Sequence, residues 1–134
     1  VPKHAEVARA NFARAGLADR VELRLGPALE TLPAIAAEHL EPFDFSFIDA
    51  DKANNPEYFD WALRLSRRGS LILVDNVVRE GSVLDARSDD AGTRGVRRLF
   101  ERLAGEPRVS ATAIQTVGVK GWDGLAIALV TADP

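Results

Sequence analysis

Phe43-Asp44-Phe45-Ser46-Phe47-Ile48-Asp49-Ala50-Asp51-Lys52 is a short apolar run that ends abruptly in two acids and a lysine. Its aromatic and β-branched content reads as a strand buried on both faces, the setting of a parallel sheet. In open α/β sheets ligands sit just beyond the carboxyl ends of the strands, so Asp49, Asp51 and Lys52 fall where chemistry is done. Leu71-Ile72-Leu73-Val74 repeats the design and runs straight into Asp75-Asn76. Two neighbouring parallel strands would deliver Asp49, Asp75 and Asn76 to one crevice.

The flanking sequence supports this α/β reading. Ala53-Asn54-Asn55-Pro56 opens a helix over 56–67, and Arg68-Gly69-Ser70 ends it before the second strand. Strand, helix, strand is a βαβ unit with a right-handed crossover. Segment 77–93 has two glycines, scattered charge and no period, and reads as a loop over the crevice. Val96, Leu99, Phe100 and Leu103 form the apolar stripe of a further helix. The arginines beside them, Arg94, Arg97, Arg98 and Arg102, read as a solvated face paired with Glu101 rather than as a phosphate patch. Two strands, 109–117 and 125–130, flank Gly118-Val119-Lys120-Gly121-Trp122-Asp123-Gly124, which suits an antiparallel hairpin.

Upstream, Pro2 with Ala5, Ala8, Phe12 and Ala15 predicts a first helix, stopped by Gly16-Leu17 as a left-handed cap and its apolar contact. Val21, Leu23 and Leu25 alternate with Glu22 and Arg24, the pattern of a half-exposed edge strand. Gly26-Pro27 breaks it. Leu29, Leu32, Ile35, Ala36 and Leu40 predict a second helix over 28–39, with Pro33 a complication near its first turn.

Composition narrows the function. The 134 residues make one domain, 1–134, with room for a core and little for a second. A net charge of −3 argues against a nucleic-acid partner, and the lack of cysteine excludes disulfides, zinc–thiolate sites and cysteine nucleophiles. No apolar run reaches the roughly 18 residues of a membrane span and no secretory signal is visible, so a cytoplasmic location without membrane contact is the default expectation. The chain lacks methionine and opens on Val1-Pro2 almost at a helix start, as a piece of a longer chain would, although loss of an initiator methionine leaves the same end. Among 17 basic residues only Lys3, Lys52 and Lys120 are lysines, a bias that points to a bacterium with a GC-rich genome.

Asp49, Asp75 and Asn76 supply only oxygen donors, the set that suits a hard cation such as Mg²⁺. Each strand-terminal acid taken singly reads equally well as a cap for the following turn. Lys52 either reaches the same crevice, where a nearby cation would ease loss of its proton, or is a solvated surface lysine. His4 and His39 lack the acid and serine partners of a hydrolase triad, and Trp61 and Trp122 read as packing residues.

Phe47-Ile48-Asp49-Ala50-Asp51-Lys52, then Tyr58, then Asp75-Asn76, together with Gly26-Pro27-Ala28-Leu29, resembles the cation-dependent O-methyltransferases, the caffeoyl-CoA and catechol O-methyltransferases and their bacterial relatives. Pro2-Lys3-His4-Ala5 and Gly121-Trp122-Asp123-Gly124 are similar as well, so the match extends over nearly the whole chain. The resemblance implies a Rossmann-like S-adenosylmethionine-dependent methyltransferase fold, a mostly parallel sheet closed by a C-terminal hairpin. It implies Asp49, Asp75 and Asn76 as ligands of Mg²⁺ or a similar divalent cation and Lys52 as the catalytic base, with Asp49 beside it. Gly26, Ala28, Asp51 and Tyr58 match positions around S-adenosylmethionine. The implied substrate is a small hydroxylated aromatic, a vicinal diol, and the implied assembly a homodimer.

In that family a glycine-rich turn and an acid that bind the cosubstrate lie upstream of the Pro-Lys-His-Ala stretch, and this sequence starts after them. The 134 residues by themselves are therefore expected to bind S-adenosylmethionine weakly or not at all. Asn55 and Glu80 also depart from the plant enzymes, which have tyrosine and a substrate-contacting asparagine there. Arg79 and Glu80 either shape the acceptor site or simply face solvent. A silent or partner-binding module of the same fold is the alternative, and a phosphoryl-transfer protein is opposed by the lack of a phosphate-cradling glycine loop.

Overall fold

A computed structural model describes residues 1–39 and 42–133, which divide into two compact units, Val1–His39 and the rest of the chain. Leu40, expected at the end of the second helix, lies outside the described residues.

The first unit holds helices α1 (Pro2–Arg14) and α2 (Ala28–Ala37). Helix α1 ends as its sequence predicts. Gly16 adopts φ 69°, its N–H donates to Ala13 O at 3.1 Å, and Leu17 N–H donates to Phe12 O at 2.9 Å, the paired bonds of a Schellman cap. The 21–25 run is not a strand, because this unit holds no other strand to pair with it. The Arg24 guanidinium instead grips Glu38 bidentately at 2.5 and 2.7 Å.

The second unit contains β1 (Phe43–Ile48), a 3₁₀ turn (Lys52–Asn54), α3 (Asn55–Arg64), β2 (Ser66–Asp75), a 3₁₀ segment (Arg79–Leu84), α4 (Ala91–Ala104), β3 (Val109–Gly118) and β4 (Gly121–Val130). The sheet order is β1-β2-β4-β3; β1 and β2 are parallel and the two other pairings antiparallel. The described sheet is therefore mixed rather than mostly parallel. The residues expected to end α3 belong to β2, which bulges at Gly69, φ 92°, where Ser70 Oγ donates to Phe43 O at 2.7 Å.

The core lies between the sheet and two helices. Phe59 and Leu63 from α3, Val96 and Leu99 from α4, and Ile72 and Val74 from β2 are all buried. Each side chain of this kind contributes roughly 1.5–3 kcal/mol on burial. Strand β1 departs from expectation: Ile48 is buried, but Phe45 and Phe47 are 52% and 54% exposed. Among the described residues β1 pairs on one side only, as an edge strand.

The α4 arginines do more than face water. Arg98 Nη2 donates to Ala53 O at 2.7 Å, Arg97 Nη1 to Val83 O at 2.7 Å, and Arg102 joins Asp60 of α3 to Glu106, each at 2.7 Å. Glu106 is buried and also accepts from Arg108 Nε at 2.7 Å. The Arg108 and Arg102 guanidiniums outweigh burial and hold the Glu106 carboxyl at about 2, below its ordinary 4.5. A depressed folded pKa means that the stabilisation is full above 4.5 and lost as pH falls towards 2. Glu106→Gln is expected to lower stability by about 2 kcal/mol at neutral pH, because two part-buried guanidiniums lose their counter-charge. In urea unfolding, the gap between variant and wild type should close across that acid range; a pH-independent gap would refute the ion-pair account.

Candidate functional site

Parallel register sets the centre of the site. Ile48 pairs with Val74, so Asp49 and Asp75 are the next residues on adjacent strands, at the carboxyl edge of the sheet. Strands lie about 4.8 Å apart, which brings these two strand ends side by side. Asn76 follows in the left-handed conformation, φ 57°, which asparagine tolerates and which turns the chain sharply at the strand end. Its side-chain amide turns towards Asp123.

Lys52 begins the 3₁₀ turn after β1, and its Nζ donates to Asp49 Oδ1 at 2.8 Å. Its side chain is 11% exposed against 53% for Asp49, so the ammonium is a held group and not a free surface charge. Helix α4 presses on this turn through Gly95, where a Cβ would run into Lys52 O and come within 2.7 Å of Ala53 Cα. Only glycine permits that approach.

Asp51 organises the next shell of contacts. Its Oδ1 accepts from Asn54 N–H at 3.3 Å and from Asn54 Nδ2 at 2.7 Å, and its Oδ2 accepts from Tyr58 Oη at 2.5 Å. Burial first and the Asp51 carboxylate second raise the Tyr58 phenol above its ordinary value. The structure thus joins Asp51 to Tyr58. Gly26 and Ala28, matched to the same role, sit together at the start of α2 in the other unit.

The loop after Asn76 is anchored by a residue with no assigned role at the level of sequence. Asp123 Oδ1 accepts from Val78 N–H at 3.0 Å, Arg79 N–H at 2.8 Å and Gly124 N–H at 2.9 Å. Burial alone would raise this carboxyl, but the backbone donors of Arg79, Val78 and Gly124 together hold it below the usual range. In the sequence Asp123 belongs to the family-like Gly121-Trp122-Asp123-Gly124 stretch, and its Asp-Gly pair suits a hairpin turn. The actual turn is the two residues Val119-Lys120, and Asp123 sits within β4 because Gly118 pairs with Gly121.

Arg79, Glu80 and Gly81 all have positive φ, 54°, 53° and 86°, an uncommon run that brings the loop back against the hairpin. A Cβ on Gly81 would come within 2.8 Å of the Trp122 ring, and one on Gly121 would collide with the Glu80 carboxylate. Asn76, Glu80, Thr116, Trp122 and Asp123 line the resulting cleft of ≈ 490 Å³. Asn55, the other departure noted in the sequence, does not line it; it is fully buried at the start of α3.

Among the described residues no three histidine, aspartate or glutamate side chains converge as a metal cluster. The candidate set has a different make-up: two carboxylates and the carboxamide of Asn76, all oxygen donors. Such a set fits a hard divalent cation that keeps several waters.

Comparison with known proteins bears directly on this arrangement. The profile of a family described as O-methyltransferase matches residues 1–129. A catechol O-methyltransferase of Mycobacterium tuberculosis is 60% identical over 129 residues, 96% of this chain and 57% of the relative. A catechol O-methyltransferase of Niastella koreensis is 51% identical over 129 residues, 96% of this chain and 58% of the relative. The crystal structure of an O-methyltransferase from Bacillus cereus in complex with SAH superposes with TM-score 0.95 at 60% identity, covering 98% of this chain and 60% of that one. TomG from Streptomyces achromogenes, in complex with SAM, also reaches TM-score 0.95, at 51% identity and 98% and 59% coverage. The chain thus spans somewhat more than half the length of the relatives it matches.

Proposed function

The chain belongs to the O-methyltransferase family and has its Rossmann-like α/β fold, and on that premise we propose that the protein transfers a methyl group from S-adenosylmethionine to a hydroxyl of a catechol-like small molecule, with a divalent cation such as Mg²⁺. The observation that carries this reading is the strand-end array of Asp49, Asp75 and Asn76 with the Lys52 ammonium on Asp49. The names of the catechol O-methyltransferase relatives support the acceptor class, and the SAH and SAM complexes of the neighbours support the cosubstrate.

Asp49, Asp75 and Asn76 would hold the cation, which would lower the pKa of a chelated hydroxyl and orient it. Lys52 lies against Asp49 beside that set, and in its amine form it would act as the general base. Nζ can then take the hydroxyl proton. The phenolic oxygen attacks the sulfonium methyl in line; the new C–O bond forms as the C–S bond breaks and its electron pair leaves with sulfur. Holding both reactants in line accounts for much of the acceleration. Asp51 and Tyr58, joined as they are, would contact the cosubstrate, and we place the reaction in the cytoplasm and in a homodimer.

The test uses the polypeptide at the full length its gene encodes, labelled S-adenosylmethionine, and a catechol. Transfer should vanish in EDTA and return with Mg²⁺. Transfer indifferent to EDTA would remove Asp49, Asp75 and Asn76 from the metal role.

A further inference from the structure

We propose that Arg98 is a positioning residue for Lys52: by gripping the backbone of the 3₁₀ turn, its guanidinium holds that turn where the lysine meets Asp49. The inference rests on the methyl-transfer reading above and deepens it by assigning a residue of α4 to the placement of the base.

Two loops follow the two acid-tipped strands. The turn Lys52–Asn54 follows β1, and the segment Arg79–Leu84 follows β2. Helix α4 holds both through consecutive residues. Arg98 Nη2 donates to Ala53 O at 2.7 Å, and Arg97 Nη1 donates to Val83 O at the same distance. Neighbouring residues on a helix point in directions roughly 100° apart, so a single turn of α4 reaches two different loops.

The two loops differ in how much else holds them. Segment Arg79–Leu84 is also fixed by the Ser82 and Thr93 hydroxyls at 3.2 Å, by Arg79 on Asp90 at 3.3 Å, and by Asp123. The lysine turn is three residues of 3₁₀ helix, whose own hydrogen bonds have poor geometry. Asn54 N–H on Asp51 Oδ1 and Asn55 N–H on Lys52 O close it from within its own short segment. Gly95 sets how near α4 comes to Lys52 O and Ala53, but a van der Waals contact does not fix a peptide's orientation. The charged donor of Arg98 does, and a hydrogen bond of that kind is about twice as strong as a neutral one. Ala53 adjoins Lys52, so holding its carbonyl restricts the backbone from which the lysine extends. The planar fork also leaves Nη1 facing Glu57 Oε1 at 3.4 Å, which ties the turn to the first turn of α3. The Arg98 side chain is 53% exposed, so replacing it takes little from the core.

The experiment uses the full-length protein with Mg²⁺, S-adenosylmethionine and catechol. Arg98→Gln should lower kcat by about ten- to hundredfold, the scale for displacing a catalytic group by up to about 1 Å, with KM for S-adenosylmethionine and Mn²⁺ affinity unchanged. Arg98→Lys, which can still donate to Ala53 O, should recover most of that loss. Arg97→Gln is the matched comparison: it removes a bond of equal length from the same helix, and should slow transfer at saturating catechol far less. Amide hydrogen exchange over residues 52–55 of the ligand-free protein should quicken in Arg98→Gln and not in Arg97→Gln. Wild-type kcat or unchanged exchange in Arg98→Gln overturns the proposal. An equal fall in kcat in both glutamine variants also overturns it, since α4 would then merely support the fold. Failure of wild type to methylate catechol overturns the methyl-transfer reading and the proposal with it; exchange needs neither cosubstrate nor cation, and tells that failure apart from a misassigned Arg98.

Discussion

Replacing Lys52 by methionine is expected to lower kcat by about 10²–10⁴-fold, the range for loss of a positioned general base. Methionine keeps much of the stem that makes the Lys52 side chain only 11% exposed, so packing around the 3₁₀ turn should survive. The variant removes the donor on Asp49 and frees that carboxylate, so cation affinity should hold or rise while turnover collapses. Fluorescence titration with Mn²⁺ beside single-turnover kinetics separates the two. A collapse in turnover matched by an equal loss of cation binding would mean that Lys52 serves to order Asp49 rather than to accept a proton.

Gly95→Ala is expected to lower stability and to disturb the lysine turn as well. The added Cβ would collide with Lys52 O and stand 2.7 Å from Ala53 Cα and 2.8 Å from Ala53 O. These are backbone atoms of a turn, not the ends of flexible side chains, so α4 itself must move. Overpacking of this kind costs about 1–3 kcal/mol, and the rigidity of the obstacle puts this case at the upper end. For a unit of this size, a loss of about 3 kcal/mol corresponds to a fall in Tm on the order of 10–20 °C. The helix propensity gained from alanine, about 1 kcal/mol, offsets only part of this. Displacing α4 also moves the turn that carries Lys52 and breaks the Arg98 bond to Ala53 O. Activity should therefore fall at temperatures where the variant is still folded. Full activity at 15 °C with a lowered Tm would show that Lys52 is placed independently of α4.

The placement of the strand-end acids was legible because it is local. Asp49 and Asp75 each end a hydrophobic run, and two parallel strands in register need no further information to bring such residues together. Gly16 as a left-handed cap and the α4 stripe of Val96, Leu99 and Leu103 were legible for the same reason, since each is decided within a few turns of one helix. Other readings failed where the deciding partner is distant. The 21–25 run has strand alternation but no strand beside it in its unit. The 43–48 run reads as a strand buried on both faces, but apolar content does not specify what covers each face, and here Phe45 and Phe47 are exposed.

Composition and spacing alone therefore determined the α/β class and the two acid-tipped strands, because periodicity and strand-end placement are properties of short segments. Tertiary structure alone decided what holds those donors in place. Asp123 reaches Val78 and Arg79 across 45 and 44 residues, and Gly95 lies far along the chain from the lysine turn it supports. Glu80 became a wall of the cleft only because Gly121 offers no side chain in its way. Each is a close approach between remote segments, set by which atoms the packed fold leaves room for; no local pattern encodes that room.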